Sequence, residues 1–238
     1  MRLLVTRPEP DAYRTAAALR ARGHTVSLAP LLKIEGVPTD IGTGPWDAVV
    51  MTSANSCRAA ATHPRFPELV HRAAFCVGQY SAEAARNVGF ADVTAAGGDA
   101  AELAQMLKER FAARDRHLLY LAGEDRAADL AADLATHGIH MKTVVIYRAL
   151  KVPEFPPATR AALAAQEIDG VLHFSRRTAE SYLSCAVGAA LLDRALAPFH
   201  YCLSPLVARP LLQAGSATVR VAEKPNEASL VELVGAAH

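Results

Sequence analysis

The chain has 238 residues, enough for two domains of ordinary size, each burying its own core. Its 25 Lys and Arg against 24 Asp and Glu give a net charge of +1, which argues against nucleic acid as the main partner but allows a local basic patch. No apolar run approaches the roughly 18 residues of a membrane span, and Pro8 breaks the N-terminal run before a signal-peptide core forms, so a cytoplasmic protein with no membrane partner is expected.

Taken in order, Arg2–Thr6 reads as a short buried parallel strand. Asp11–Arg22 carries apolar residues at helical spacing up to Gly23, a suitable helix-ending glycine. Thr25–Ile34 is β-rich, and Ala48–Thr52 and Ala74–Val77 predict strands, each followed by helical sequence. The order then starts again. His117–Ala122 predicts a strand, Arg126–His137 a helix ended by Gly138, and Met141–Leu150 a β-rich stretch; Gly170–Phe174 and His200–Leu203 are strands with helical sequence after them. This alternation predicts an α/β fold with flavodoxin-like, doubly wound parallel sheets covered by helices on both faces.

The second series is a copy of the first. Leu3, Leu4, Leu19 and Gly23 match Leu118, Leu119, Leu134 and Gly138; Asp47, Val49 and Ser53 match Asp169, Val171 and Ser175. Cys76, Ala82 and Gly89 match Cys202, Ala208 and Gly215, and Val93, Ala96 and Leu103 match Val219, Ala222 and Leu230. Two similar α/β domains with an interdomain cleft follow from such a repeat. Simple halves would divide near Ala113–Arg116. Alternatively, LAPLLKIEGVP and TVVIYRALKVP, which run on to Pro38 and Pro153 without a helix directly after, serve as paired connecting strands, and the chain leaves the first domain, builds the second and returns.

Familiar catalytic signatures are absent: no G-x-G-x-x-G, Walker-type loop, G-x-S-x-G elbow or H-E-x-x-H occurs. The nine His are scattered and the four Cys lack metal-type spacing, so no metal is expected; Cys76 and Cys202 read as buried thiols and Gly97-Gly98 as a turn. What remains is a set of strand-end loops rich in small polar residues, where open α/β sheets bind ligands. They comprise Thr6-Arg7, Thr52-Ser53-Ala54-Asn55-Ser56, Gly78-Gln79-Tyr80-Ser81, Gly123-Glu124, Ser175-Arg176-Arg177-Thr178 and Ser204-Pro205. Ser53, Asn55, Ser81, Ser175 and Ser204 are equally suited to capping helices. Arg7, Arg176 and Arg177, with Lys224 and Arg126 at the rim, offer forks for carboxylates or phosphates, or are solvated surface charge. Tyr147 is either a packing residue or a hydroxyl facing the cleft.

Together VTRPEPDA, DAVVMTSANS, CVGQYSAEAA, GGDAAELA and VVIYRA, then DGVLHFSRRTAESYL, LSPLVARPLLQAG and AEKPNEASLVELV, resemble the uroporphyrinogen-III synthase family over essentially the whole chain. The resemblance implies two α/β domains joined by a two-stranded β connector: residues 1–30 plus 151–238, residues 38–142, and connector strands at about 31–37 and 143–150. It implies cyclisation of hydroxymethylbilane to uroporphyrinogen III with loss of water and inversion of ring D, without metal or organic cofactor. The substrate would be a linear tetrapyrrole octacarboxylate, held by Thr6, Arg7, Thr52, Ser53, Asn55, Gly78, Gln79, Ser81, Ser175, Arg176, Arg177 and Ser204. A monomer in transient contact with hydroxymethylbilane synthase is the expected state. Tyr147 matches the family tyrosine proposed as the acid, whereas Leu206 and Val207 replace the threonines of the second half's pattern, so no essential hydroxyl is carried over there. The competing readings are a non-catalytic two-lobed sensor of an anionic metabolite and a nucleotide-sugar transferase, the latter lacking a recognisable diphosphate site.

Overall fold

The computed structural model describes residues 1–111, 115–125 and 130–235. In chain order these form β1 (Arg2–Val5), α1 (Asp11–Arg20), β2 (Thr25–Leu28), β3 (Leu32–Gly36), β4 (Ala48–Met51), α2 (Ala54–Ala61), α3 (Phe66–Leu69), β5 (Ala73–Cys76), α4 (Gln79–Asn87), β6 (Val93–Ala95) and α5 (Ala100–Arg110). There follow β7 (Arg116–Gly123), α6 (Leu130–Ala135), β8 (Ile139–Lys151), α7 (Pro157–Ala164), β9 (Gly170–His173), α8 (Arg176–Gly188), α9 (Leu192–Leu196), β10 (Phe199–Cys202), α10 (Pro205–Gln213), β11 (Val219–Val221) and α11 (Glu227–Val234).

The chain divides into two compact units. Unit 1 takes Met1–Lys33 and the described residues from Leu150 onward, and unit 2 takes Ile34–Ala149, so both boundaries fall inside strands, β3 and β8. The sheet of unit 1 has the order β2-β1-β9-β10-β11 with every neighbouring pair parallel. Numbered within the unit this is 2-1-3-4-5, the flavodoxin-like order. Unit 2 has the order β3-β8-β7-β4-β5-β6, and from β8 to β6 every pair is parallel.

The sequence repeat explains why the two sheets agree. By that repeat β7 and β8 are copies of β1 and β2, and β9, β10 and β11 are copies of β4, β5 and β6. Each unit therefore combines the opening strands of one copy with the closing strands of the other. Even the registers coincide: Leu3 lies beside Gly170 and Leu118 beside Ala48, while Val171 pairs with His200 and Val49 with Ala74.

Helices cover both faces because the central strands are apolar throughout. In unit 1, Leu3 and Val5 of β1 pack with Ala12, Ala16 and Leu19 of α1 and with α11, and Leu4 packs on the other face with residues of α7, α8 and α10. In unit 2, Val49 and Met51 face α2 and α4, whereas Ala48 and Val50 face α5 and α6. Such runs, buried on both sides, are the mark of parallel strands. Helix stops fall as the glycines imply, with φ of 85° at Gly23 and 73° at Gly138, a left-handed conformation that suits glycine.

Some expected elements differ. Helix α1 ends at Arg20, two residues short of the expected Arg22. The β-rich segment Thr25–Ile34 splits into β2 and the start of β3, interrupted at Ala29, Pro30 and Leu31, where proline has no N–H for a ladder. Of the helix expected over Arg126–His137, residues 126–129, with Arg126, lie outside the described residues, and α6 covers Leu130–Ala135. All four cysteines are buried free thiols.

Candidate active site at the switch point of unit 2

In a 2-1-3-4-5 sheet the crevice beyond the strand ends opens where the order reverses, between the first and third strands of the unit. In unit 2 that place lies between β7 and β4. β4 ends at Met51, and Ser53, extended at φ −151° and ψ 144°, caps α2 by accepting a 3.1 Å bond from the Asn55 amide. Thr52 and Tyr120 share a hydroxyl–hydroxyl bond of 2.8 Å across the two strands.

Tyr147 arrives from β8. A register shift at Ala122/Gly123 sets it opposite Gly123, the last residue of β7. Its ring lies on the glycine: a Cβ at Gly123 would stand 2.6 Å from Tyr147 Cζ and 2.7 Å from the phenol oxygen. Tyr147 is half-buried, and burial raises its phenol above the ordinary tyrosine value, while the nearby Ser53 and Ser56 hydroxyls pull the other way. The phenol therefore stays protonated at neutral pH and is available as a weak acid. One helical turn on, Arg58 donates to Asn55 Oδ1 and to the Tyr80 hydroxyl, each at 2.9 Å, tying α2 to α4.

The structure thus brings Thr52, Ser53, Asn55 and Tyr147 together at one edge of unit 2, with Gly78 and Gln79 at the end of the adjoining strand β5. Gly78 caps α4 with its backbone and lies so close to Gly98 that an added Cβ would be 3.3 Å from its Cα, which gives the diglycine its role. Gln79 is exposed on the first turn of α4. Asn55 and Ser81 are not caps, contrary to their sequence pattern. Asn55 lies within α2, and Ser81 is buried within α4, its carbonyl facing the Cys57 thiol at 3.4 Å.

Unit 1 differs more from expectation. Thr6 is fully buried and donates to the Leu172 carbonyl at 2.7 Å, so its hydroxyl fastens β1 to β9 and does not face the strand-end loop. Arg7 is no free fork: it pairs with Asp11 and Glu227, both at 3.1 Å, and lies over the Phe174 ring at 4.2 Å. Glu227 also receives Arg14 and, at 2.6 Å, the Thr15 hydroxyl, which closes an internal network. Ser175 caps α8 through Thr178 N at 3.1 Å; Arg176 is exposed and pairs with Glu180 at 2.7 Å, and Arg177 is half-buried beside it. Ser204 occupies the cap position of α10 without a side-chain cap bond, and Lys224 is exposed. The sequence reading missed Arg58 and Tyr120, and it placed Ser56, Tyr80 and Gly123 in strand-end loops without giving any of them a role of its own.

A pair of like α/β units, with a tyrosine and serine hydroxyls at the switch point of one, defines a doubly wound protein of the kind that binds ligands at open strand ends. The model of the family Uroporphyrinogen-III synthase HemD matches residues 13–232, and the chain belongs to that family. Its activity is accordingly that of a uroporphyrinogen-III synthase, a lyase of tetrapyrrole biosynthesis acting on a tetrapyrrole, and the non-catalytic sensor is not favoured. Among solved structures, the chain is similar in fold to the uroporphyrinogen-III synthetase of Helicobacter pylori, with a TM-score of 0.64, 18% identity and 98% of each chain covered. It is also similar to a mutant uroporphyrinogen III synthase of the extremely thermophilic bacterium Thermus thermophilus, with a TM-score of 0.57, 18% identity and coverage of 98% of this chain and 96% of that one. No curated protein matches it. Among the described residues no helix is long and apolar enough to cross a membrane.

Proposed function

We propose that the chain closes linear hydroxymethylbilane into uroporphyrinogen III with inversion of ring D, and that Tyr147 is the acid that helps hydroxide leave. The observation that supports this role is the half-buried phenol of Tyr147, lying on Gly123 beside the Ser53 and Ser56 hydroxyls. The C–O bond of the hydroxymethyl group breaks, and the departing hydroxide takes the phenol proton and leaves as water. C16 of ring D then attacks to give a spiro intermediate, which rearranges to the inverted macrocycle. Because the net reaction loses only water, the ring system later gives up the proton that restores the phenol.

An electron-rich pyrrole expels hydroxide with little help, and the linear substrate closes unaided to the non-inverted isomer. Most of the task is then to hold a flexible chain so that C16 attacks, and positioning of this kind is worth up to about 7–11 kcal/mol. Eight carboxylates call for distributed donors. In this reading Thr52, Ser53, Asn55, Gly78 and Gln79 of unit 2 and Ser175, Arg176, Arg177 and Ser204 of unit 1 supply them, while Thr6, Arg7 and Ser81 hold the loops from beneath. A cytoplasmic monomer that receives substrate in transient contact with hydroxymethylbilane synthase completes the proposal.

The test couples porphobilinogen and its deaminase to this protein, oxidises the product and separates the isomers by chromatography. Isomer III is expected to dominate, and a mixture still rich in isomer I would overturn the reading. Tyr147→Phe should lower turnover about a hundredfold, the scale of a weak general acid, without changing the isomer ratio. Unchanged turnover would remove Tyr147 from the chemistry.

A further inference from the structure

Ser56 is fully buried on the first turn of α2, and its hydroxyl has no hydrogen-bond partner. A buried hydroxyl without a partner destabilises a fold, and alanine, the better helix former, would pack there at no such cost. The corresponding residue of unit 1 has its hydroxyl fully used. Thr178 holds the same position after its capping serine, and its hydroxyl bonds Ser175 Oγ at 2.6 Å while its amide donates to the same oxygen at 3.1 Å. In unit 2 the cap works differently: Ser53 takes the Asn55 amide, and the Ser56 hydroxyl is left over. What unit 2 adds at this point is Tyr147, where the repeat gives unit 1 Leu32.

We propose that Ser56 is a positioning residue for the reaction, its uncommitted hydroxyl held ready beside Tyr147 to donate to the phenolate that forms as the phenol delivers its proton. The inference rests on Tyr147 being the acid. As the proton leaves, negative charge grows on a half-buried oxygen, and a donor already in place stabilises it without reorganisation. The neutral phenol makes a weaker demand on that donor, so the interaction strengthens along the reaction coordinate, as differential binding requires. Ser53 borders the same oxygen, but its Oγ also serves the helix cap. The first turn of α2 adds the positive end of a helix dipole. Ala54 and Cys57, on either side of Ser56 in α2, belong to the core against which Tyr147 packs, and the Ser56 hydroxyl acts on the phenol in the direction that favours the phenolate.

The experiment measures kcat, KM and the pH dependence of turnover for Ser56→Ala, Ser56→Cys, Tyr147→Phe and the double variant Ser56→Ala/Tyr147→Phe. Cysteine keeps the volume but is a weak donor, so it serves if alanine impairs folding. Both Ser56 variants should lose roughly tenfold in kcat, the scale of one hydrogen bond to a charged group, with little change in KM. Because the lost donor favoured the phenolate, the alkaline limb of the profile should move to higher pH, a change that loosened packing would not produce. In the Tyr147→Phe background, Ser56→Ala should have no further effect. Normal kcat and an unmoved limb in both Ser56 variants, with Tyr147→Phe impaired, would overturn this inference alone. So would an equal loss with or without the phenol. Normal turnover in Tyr147→Phe would instead remove the assignment of Tyr147 on which it depends.

Discussion

The strand ends of the two units carry opposite chemistry on the same backbone. At matching positions, unit 2 has Thr52, Ser56, Tyr80, Ser81, Tyr120 and Tyr147 where unit 1 has Phe174, Thr178, Leu206, Val207, Val5 and Leu32. Phe174 and Val5 thus replace the Thr52–Tyr120 hydroxyl bond, and the Thr178 hydroxyl is absorbed into its own cap. Below the edge the contrast reverses. Unit 1 buries His173 and His200 on neighbouring strands, bonded at 3.1 Å and packed on Tyr182, whereas unit 2 has Met51 and Ala74 there. Duplication supplied two equivalent edges. Of the two, the edge of unit 2 combines a half-buried phenol with a set of neighbouring hydroxyls, which in the proposed reading suits a substrate with a single leaving group.

The histidines offer the largest effect with which to break this comparison. Burial holds His173 well below the ordinary histidine range, with repulsion from His200 adding to it, and burial lowers His200 to about 4. Folded unit 1 therefore keeps both rings neutral, while the unfolded chain binds protons below about pH 6.5. The stability from this difference is fully present above pH 6.5 and is lost as pH falls toward 4, on the order of 3 kcal/mol from His200 alone. Urea midpoints should fall across that window, and hydrogen exchange should show β9 and β10 opening before β4 and β5. His173→Met, which installs the residue of unit 2, should flatten the dependence. Equal midpoints at pH 5 and pH 8 in the parent protein would erase the contrast between the two cores.

Gly123 provides the next test, at the edge itself. The atoms an added Cβ would strike are the far end of the Tyr147 ring, so the ring can swing away and folding should survive. Gly123→Ala should then cost turnover about as much as Tyr147→Phe, about a hundredfold, with thermal stability changed by less than ~1 kcal/mol. Parent-like turnover would mean that the ring's seat on the glycine is irrelevant to the reaction.

Gly123 also shows where sequence reasoning stops. Strands, helix stops and the two-unit fold were legible because apolar runs, glycines and a long repeat act locally or at fixed offsets. Ser53 and Ser175 were legible as caps for the same reason. The seat of Tyr147 was not, since it depends on a one-residue register shift in β8 that no spacing announces. Nor was the histidine pair, whose members are 27 positions apart and meet only because β9 and β10 are neighbours. Thr6 and Arg7 looked like ligands because they follow a strand, yet Thr6 faces a neighbouring carbonyl and Arg7 two carboxylates, which sequence distance concealed.

If unit 2 carries the chemistry, unit 1 should contribute charge, and Arg176 with Arg177 tests that division with the smallest effect. The repeat matches them to Ala54 and Asn55, so the cations belong to unit 1 alone. Arg176 is exposed, and its pair with Glu180 is of the surface kind, worth about 0–1 kcal/mol, so reversing its charge should leave the fold intact. Each lost contact with a substrate carboxylate should raise KM about threefold, so Arg176→Glu with Arg177→Glu should raise it roughly tenfold while kcat falls less. Such exposed contacts are screened, so the KM difference from the parent should shrink as salt is added. A fall in kcat with KM unaltered would mean that unit 1 shares in the chemical step, and the asymmetry of the two edges would then lie in how each holds the transition state.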